Sequence, residues 1–173
     1  MSFQSGMAFV LPEEGGLSDN PADPGGVTYQ GITQRTYDAW RTAQGLHGRS
    51  VSIMAPEERD AIYYADFWTP AHCGDCPSPL DVVMFDIAVQ RGPGHAIQTL
   101  QDALGVNIDG AWGPETAGAL ADSNTGTVTQ RVLIAFKLHL IDEGAKPGQR
   151  VFLNGWLARW GRLNTLAHQG GMA

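Results

Sequence analysis

The chain has 173 residues, 43% of them hydrophobic, and a formal net charge of −7. This composition is sufficient for a packed core and argues against intrinsic disorder. The acidic balance argues against nucleic acid as a partner, because phosphate binding needs a basic patch, and against a cationic lytic peptide as the mode of action.

The N-terminal sequence Met1-Ser2-Phe3-Gln4 has neither the basic segment nor the long apolar run of a secretory signal. No stretch of the sequence approaches the length of a transmembrane helix. We therefore expect synthesis in the cytoplasm without membrane insertion. A protein of this kind needs another route out of the cytoplasm, such as a holin or a dedicated secretion system.

The first predicted element is a helix that ends at Gly15 and Gly16. Apolar residues recur in it at helical spacing, Met7 and Val10 among them. A glycine adopts the left-handed cap conformation without steric cost, so this pair terminates the helix. Glu14 therefore lies in the last turn, where the chain opens into a loop. Its neighbour Glu13 faces another direction and is predicted to be a solvated charge.

The loop that follows carries turn formers and a short β-ribbon. Its segments are Asn20-Pro21, Asp23-Pro24-Gly25-Gly26, the β-type residues Val27-Thr28-Tyr29, and Gly31. The bend thus brings Glu14, Asp23 and Thr28 together. The same spacing also fits a plain helix end followed by an ordinary turn.

Two carboxyl groups and a hydroxyl around one bend suit the hydrolysis of a glycosidic bond. One carboxyl group gives its proton to the leaving oxygen, and the other stays ionised and activates water or stabilises the oxocarbenium-like sugar. Glu14, at a helix end beside apolar side chains, suits the acid because desolvation favours the protonated form. Asp23, in an open polar loop, suits the ionised partner, and Thr28 can hold the water.

Helical patterns dominate the rest of the chain. Thr33 is predicted to cap a helix, and Pro56 opens another as its first residue. Further apolar stripes at helical spacing cover residues 80–88, 96–104 and 128–140. Trp156 and Trp160 lie on one helix face and are predicted to pack rather than to bind ligand. The predicted fold is mainly α, a helical bundle with one small β-ribbon beside the active-site cleft.

Cys73 and Cys76 follow His72 in a Cys-Gly-Asp-Cys sequence. A zinc site needs about four ligands, and only three are near. A redox pair needs a thioredoxin-like βαβ context, which the pattern lacks. We expect two ordinary thiols, with a local disulfide after export as the alternative, and neither a metal nor another cofactor.

Three runs of the sequence resemble the signature of glycoside hydrolase family 108: Glu14-Gly15-Gly16, Asn20-Pro21-x-Asp23-Pro24-Gly25-Gly26-x-Thr28, and Gly31-Ile32-Thr33. Members of this family are N-acetylmuramidases that cleave bacterial peptidoglycan, and the order Glu, Asp, Thr is also similar to that of phage-type lysozymes. The resemblance implies a lysozyme-like α+β arrangement in which Glu14 is catalytic, with Asp23 and Thr28 as partners. One departure is Pro12, which is predicted to kink the last helical turn.

A second segment, Phe85-Asp86-Ile87-Ala88-Val89, resembles the part of the family that follows the signature, with Gln90 where asparagine is usual. The resemblance implies four substrate-binding candidates: Tyr29, Gln30, Asp86 and Gln90. Because Asp86 lies in an apolar stretch, a structural role with a buried partner is the alternative for this carboxylate.

The run from Leu100-Gln101 through Asp109-Gly110 to Thr116 is similar to the peptidoglycan-binding module found attached to family 108 enzymes. From the residues alone, it shows only helix, turn and helix. With the break at Gly92-Pro93-Gly94, it predicts a catalytic part over residues 1–91 and a helical peptidoglycan-binding-like part over residues 92–173. We expect the two to pack as one compact unit, in a monomer that acts on peptidoglycan glycan strands.

The sequence therefore predicts a lysozyme-type or endolysin-like hydrolase that cleaves the β-1,4 bond between N-acetylmuramic acid and N-acetylglucosamine. A lytic transglycosylase is one alternative, because it needs a single glutamate and yields anhydro-sugar ends. A non-catalytic wall-binding or particle-structural protein is another. A zinc amidase is disfavoured by the missing ligand set.

Overall fold

The computed structural model describes residues 2–18 and 26–170. Within these ranges the chain forms eight α-helices and one three-stranded antiparallel sheet, which confirms the mainly helical, lysozyme-like fold class. The helices are α1 (Phe3–Glu14), α2 (Gln34–Ala43), α3 (Pro56–Tyr63), α4 (Leu80–Arg91), α5 (Pro93–Leu104), α6 (Pro114–Ala121), α7 (Thr125–Ala145) and α8 (Arg150–Gly170). The strands are β1 (Leu17–Ser18), β2 (Thr28–Tyr29) and β3 (Ile32–Thr33).

The helix α1 places Glu14 at its C-terminus, as the sequence predicts. Met7 and Val10 are buried on its inner face. The helix continues through Pro12 to Glu14, so the proline does not end it. Gly15 then adopts a φ of 74°, a left-handed value that favours glycine, and the chain leaves the helix directly after Glu14.

The small sheet stands next in the chain and has the order β1-β2-β3. Ser18 pairs with Thr28, and Thr28 pairs with Thr33. Gln30 and Gly31 form the turn between β2 and β3, with φ values of 49° and 77°, as in the tight turns that suit the twist of antiparallel strands. The Thr33 side chain then accepts a hydrogen bond from the backbone N–H of Thr36 and caps α2, as predicted.

The central element of the core is α4, which packs against α1, α5, α7 and α8. Its residues from Leu80 to Ala88 are all buried, so this helix has no solvent-facing stripe over that length. One hydrophobic cluster contains Val10 from the first helix and Leu163 from the last. The division of the chain at residue 92 stays a prediction, but residues from both sides of it share this cluster.

The turn between α5 and α6 is built around Gln101, which is buried. Its amide nitrogen lies within hydrogen-bond distance of Asp109 and Thr116, and its amide oxygen accepts from the N–H of Gly110. In the run likened to a peptidoglycan-binding module, Gln101, Asp109-Gly110 and Thr116 are thus determinants of local structure.

Cys73 and Cys76 are both buried free thiols. Burial raises the pKa of both, which makes the reactive thiolate form scarce. Within the described ranges, no group of three or more His, Cys, Asp or Glu side chains is placed to hold a metal ion. Among the same residues, no helix combines the length and apolar character that a membrane span requires.

Candidate active site

The Glu14 carboxyl group is held between the last helix and the ribbon turn. Its Oε1 accepts a hydrogen bond of 2.6 Å from Nη1 of Arg159 in α8. From the other side Gly31 approaches so closely that an added Cβ would lie 3.0 Å from Oε2 of Glu14 and would overlap the Tyr63 hydroxyl. Glu14 is therefore held by Arg159 from a helix distant in sequence, and its carboxyl group lies close to the ribbon turn.

Arg159 also binds a second carboxylate, that of Asp86 in α4. Its Nε donates a hydrogen bond of 2.9 Å to Oδ1 of Asp86, and its Nη2 lies 2.7 Å from the same oxygen. Gln90 donates from its side-chain amide to Oδ2 of Asp86 at 2.7 Å. One guanidinium thus joins an accessible carboxyl group to a buried one.

Asp86 is completely buried. Its pKa is raised to about 6, chiefly by burial and in smaller part by the charge of Glu14, against the opposing effects of Arg159 and Gln90. The two carboxylates raise the pKa of Arg159 in turn, although burial alone would lower it. The described contacts of Asp86 are with Arg159 and Gln90, so this substrate-binding candidate acts on the site through Arg159.

The remaining candidates in the ribbon make contacts within the ribbon, with the core and with α3. The hydroxyl of Thr28 donates to the carbonyl of Gly26 at 3.3 Å. Tyr29 is partly buried against the core. The carbonyl of Gln30 accepts from the hydroxyl of Tyr63 at 2.8 Å, and its side-chain oxygen accepts from Arg59 at 3.2 Å.

Asp23, the second carboxylate of the predicted pair, lies outside the described residues. Its role as the ionised partner and the role of Thr28 in holding water therefore stay predictions.

Glu13 is not the solvated charge that the sequence suggests. Both of its carboxylate oxygens accept hydrogen bonds of 2.6 Å from Arg162. This bidentate bond holds the pKa of Glu13 below its ordinary value. Glu13 and Glu14 are thus paired with different arginines of α8, and Glu14 alone of the two also contacts the ribbon turn.

A groove of about 470 Å³ opens beside Glu14. Its walls come from α1, α4 and α8, and they include Glu14, Gln90, Trp156 and Arg159. Trp156, predicted only to pack, lines this groove, whereas Trp160 donates its indole N–H to the carbonyl of Leu133 at 2.8 Å in a packing role.

Sequence reasoning missed Arg159, although a carboxylate in an apolar stretch, that of Asp86, signals that a cation is needed.

Residues 7–92 match the family model described as Glycosyl hydrolase 108. The solved structure of Brucella abortus SagA is similar over 97% of this chain and 94% of that chain, with a TM-score of 0.80 and 29% sequence identity. No curated protein matches the chain. The matched segment holds Glu14, the ribbon and Asp86, while Arg159 lies beyond it. Residues 7–92 of this chain are therefore similar to the glycosyl hydrolase 108 family over just under half of the chain.

Proposed function

We propose that this protein is a peptidoglycan hydrolase that cleaves the β-1,4 bond between N-acetylmuramic acid and N-acetylglucosamine, with Glu14 as the general acid. The glycosyl hydrolase 108 match and the similarity to SagA support a peptidoglycan hydrolase. The assignment of Glu14 as the general acid rests on its position. Glu14 lines the groove, Arg159 donates a hydrogen bond to its carboxyl group, and Gly31 of the ribbon turn lies close to that group.

The positions of the two carboxyl groups beside Arg159 assign this role to Glu14. Asp86 is fully buried, whereas Glu14 lines the groove. Glu14 is therefore the carboxyl group that can reach a substrate oxygen.

The two oxygens of Glu14 have different surroundings. Oε1 is held by Arg159, and no described residue forms a hydrogen bond with Oε2. A Cβ at Gly31 would crowd Oε2, so glycine at this position keeps that oxygen clear of a side chain. We assign Oε2 as the proton donor to the leaving glycosidic oxygen, and Arg159 stabilises the carboxylate that remains after transfer.

The second carboxylate of the mechanism is assigned to Asp23, with Thr28 as the residue that holds the attacking water. In this scheme Asp23 stays ionised and either stabilises the positive charge that develops on the sugar or activates the water. The assignment is supported by the family resemblance of the segment and by its position in the chain between Glu14 and the ribbon.

Residues 92–173 are proposed to contribute to peptidoglycan binding. The support is that α8, which follows the matched family segment, supplies Trp156, Arg159 and Arg162 to the groove. In this view the second part of the chain contacts the same glycan strand as the catalytic part.

A lytic transglycosylase is the second candidate. It needs one glutamate and no second carboxylate, and Glu14 is the groove carboxylate that is not held in a bidentate pair within the described ranges. The products would differ, because such an enzyme leaves anhydro-muramic ends.

Digestion of purified peptidoglycan, followed by mass spectrometry of the soluble products, tests the proposal. We expect new reducing N-acetylmuramic acid ends. Anhydro-muramic ends would assign the protein to the transglycosylases. Reducing N-acetylglucosamine ends would show that the protein cleaves the other glycosidic bond of the strand, on the reducing side of N-acetylglucosamine. Binding to the wall without soluble products would contradict a hydrolase altogether.

A further inference from the structure

Arg91 is a cation of the groove without a carboxylate hydrogen bond. It ends α4 and lines the same groove as Glu14. Two of its guanidinium nitrogens, Nε and Nη2, are buried and have no hydrogen-bond partner among the described residues. The guanidinium lies over the ring of Trp156, 4.4 Å from the centroid. The stacking covers one face of the guanidinium, and its third nitrogen, Nη1, is not among these buried atoms.

The other arginines of the groove have carboxylate partners. Arg159 is bound to Glu14 and Asp86, although its Nη2 is also buried without a hydrogen bond, and Arg162 is bound to Glu13. The charge of the Glu143 carboxylate acts on Arg91, and this carboxylate accepts a hydrogen bond of 2.6 Å from Lys146. The carboxylates of the groove are therefore compensated, and Arg91 adds a positive charge to which an anionic group can bind.

The charge of Arg91 also acts on a histidine pair outside the lining of the groove. The rings of His95 in α5 and His139 in α7 are 4.1 Å apart. Burial, together with the charge of Arg91, lowers the pKa of both histidines.

We propose that Arg91 binds a carboxylate group of the substrate in the groove that holds Glu14. Buried donors without partners are rare in folded proteins, because each costs the loss of its hydration. A carboxylate satisfies this site, since its two oxygens match the planar fork of a guanidinium. The inference rests on the proposed function.

Peptidoglycan offers this chemistry from two sources. Muramic acid carries a lactyl carboxyl group, which is free on strands whose peptides have been removed. On strands that keep their peptides, that group is in an amide bond and the carboxylates belong to the stem peptides. The test therefore uses both kinds of strand, each in its natural form and with its carboxyl groups methyl-esterified.

The variant is Arg91→Gln, and Arg131→Gln is the matched control. Arg131 is an exposed arginine that lines a different groove, together with Ile134 and Leu138. The readout is selectivity, the ratio of kcat/KM for the acid strand to kcat/KM for its ester. For at least one kind of strand, we expect this ratio to fall roughly 10- to 100-fold in Arg91→Gln, the range for a hydrogen bond to a charged group. The kind of strand affected identifies the source of the carboxylate.

The control is expected to keep the wild-type selectivity. If Arg91→Gln does not fold, Arg91→Lys takes its place, because lysine keeps the charge but loses the bidentate fork. Wild-type selectivity in the Arg91 variant on both kinds of strand would overturn the inference. An equal loss on acid and ester would also overturn it.

Calorimetric binding of the same strands separates this inference from the proposed function. If the wild type cleaves no strand but binds acid over ester, and Arg91→Gln loses that preference, the carboxylate site stands and the hydrolase proposal fails. If the wild type cleaves the acid strand and its ester equally well, the hydrolase proposal holds and the proposed carboxylate site is wrong.

Discussion

Arg159 donates a hydrogen bond of 2.6 Å to Glu14 across 145 residues of sequence. The same guanidinium binds the buried carboxylate of Asp86. The glycosyl hydrolase 108 match ends at residue 92, so the cation that fixes Glu14 comes from outside the matched segment. The last helix therefore takes part in the site itself, and its loss should affect catalysis as well as stability.

Replacement of Arg159 is expected to destabilise the fold through Asp86. In Arg159→Met the fully buried carboxylate of Asp86 loses its cation, and breaking such a buried pair costs about 3 kcal/mol. The double variant Arg159→Met/Asp86→Asn should recover part of this loss, because it removes the uncompensated charge. Urea unfolding of the wild type, both single variants and the double variant gives the coupling free energy.

Arg162→Met is the matched control for that cycle. It also breaks an arginine–glutamate pair of α8, but Arg162 is 55% exposed, and exposed pairs contribute less than about 1 kcal/mol. Equal losses of unfolding free energy in Arg159→Met and Arg162→Met would show that the buried position of Asp86 has no energetic role.

Asp86 also gives the fold a specific pH dependence. Its pKa is raised from 3.8 in the reference state to about 6 in the folded protein. Between these values the folded state keeps a proton that the unfolded chain has released, so this group makes stability fall as pH rises through the window. Relative to the wild type, the unfolding free energy of Asp86→Asn should therefore rise by roughly 2 kcal/mol between about pH 4.5 and about pH 7.

Chemical unfolding of both proteins at several pH values measures this difference. A difference that stays constant across the window would mean that Asp86 titrates alike in the folded and unfolded states.

Gly31 is expected to be required for the orientation of the Glu14 carboxyl group. In Gly31→Ala the new Cβ meets the Tyr63 hydroxyl and crowds Oε2 of Glu14, at a residue whose φ is 77°. The control Gly45→Ala places the same side chain at a φ of 69° with no atom within 4 Å. Both should lose about 1 kcal/mol of stability from the left-handed backbone, but only Gly31→Ala should lose kcat/KM on peptidoglycan.

Measurement of unfolding and cleavage on the same two preparations separates these effects. Activity that falls in parallel in both variants would assign the loss to backbone strain and leave the contact with Glu14 without a role.

The elements around Glu14 could be predicted because their signals are local. The glycine pair at Gly15 ends α1, the β-type residues from Val27 mark β2, and the Thr33 side chain caps α2. Each depends on the chemistry of a few neighbouring residues. The structure accordingly has Glu14 at the helix end, followed directly by the ribbon.

The partners of Glu14 could not be predicted in the same way. An arginine on a helix gives no local sign of what it contacts, and Arg159 reaches the site only because α8 packs against α4. Asp86 in an apolar stretch indicated a buried partner but not its identity. His95 and His139 are likewise distant in sequence, and their contact depends on the packing of α5 against α7.

The most direct test of the account is digestion of purified peptidoglycan by the wild type, Glu14→Gln and Glu13→Gln. We expect the wild type to release products with reducing muramic ends and Glu14→Gln to be slower by roughly 100-fold or more, the contribution of a general acid. Glu13→Gln should lose much less, because Arg162 binds both oxygens of that carboxylate. Unfolding curves confirm that each variant is folded. Wild-type cleavage by a folded Glu14→Gln protein would contradict the assignment of Glu14 and, with it, the proposed mechanism.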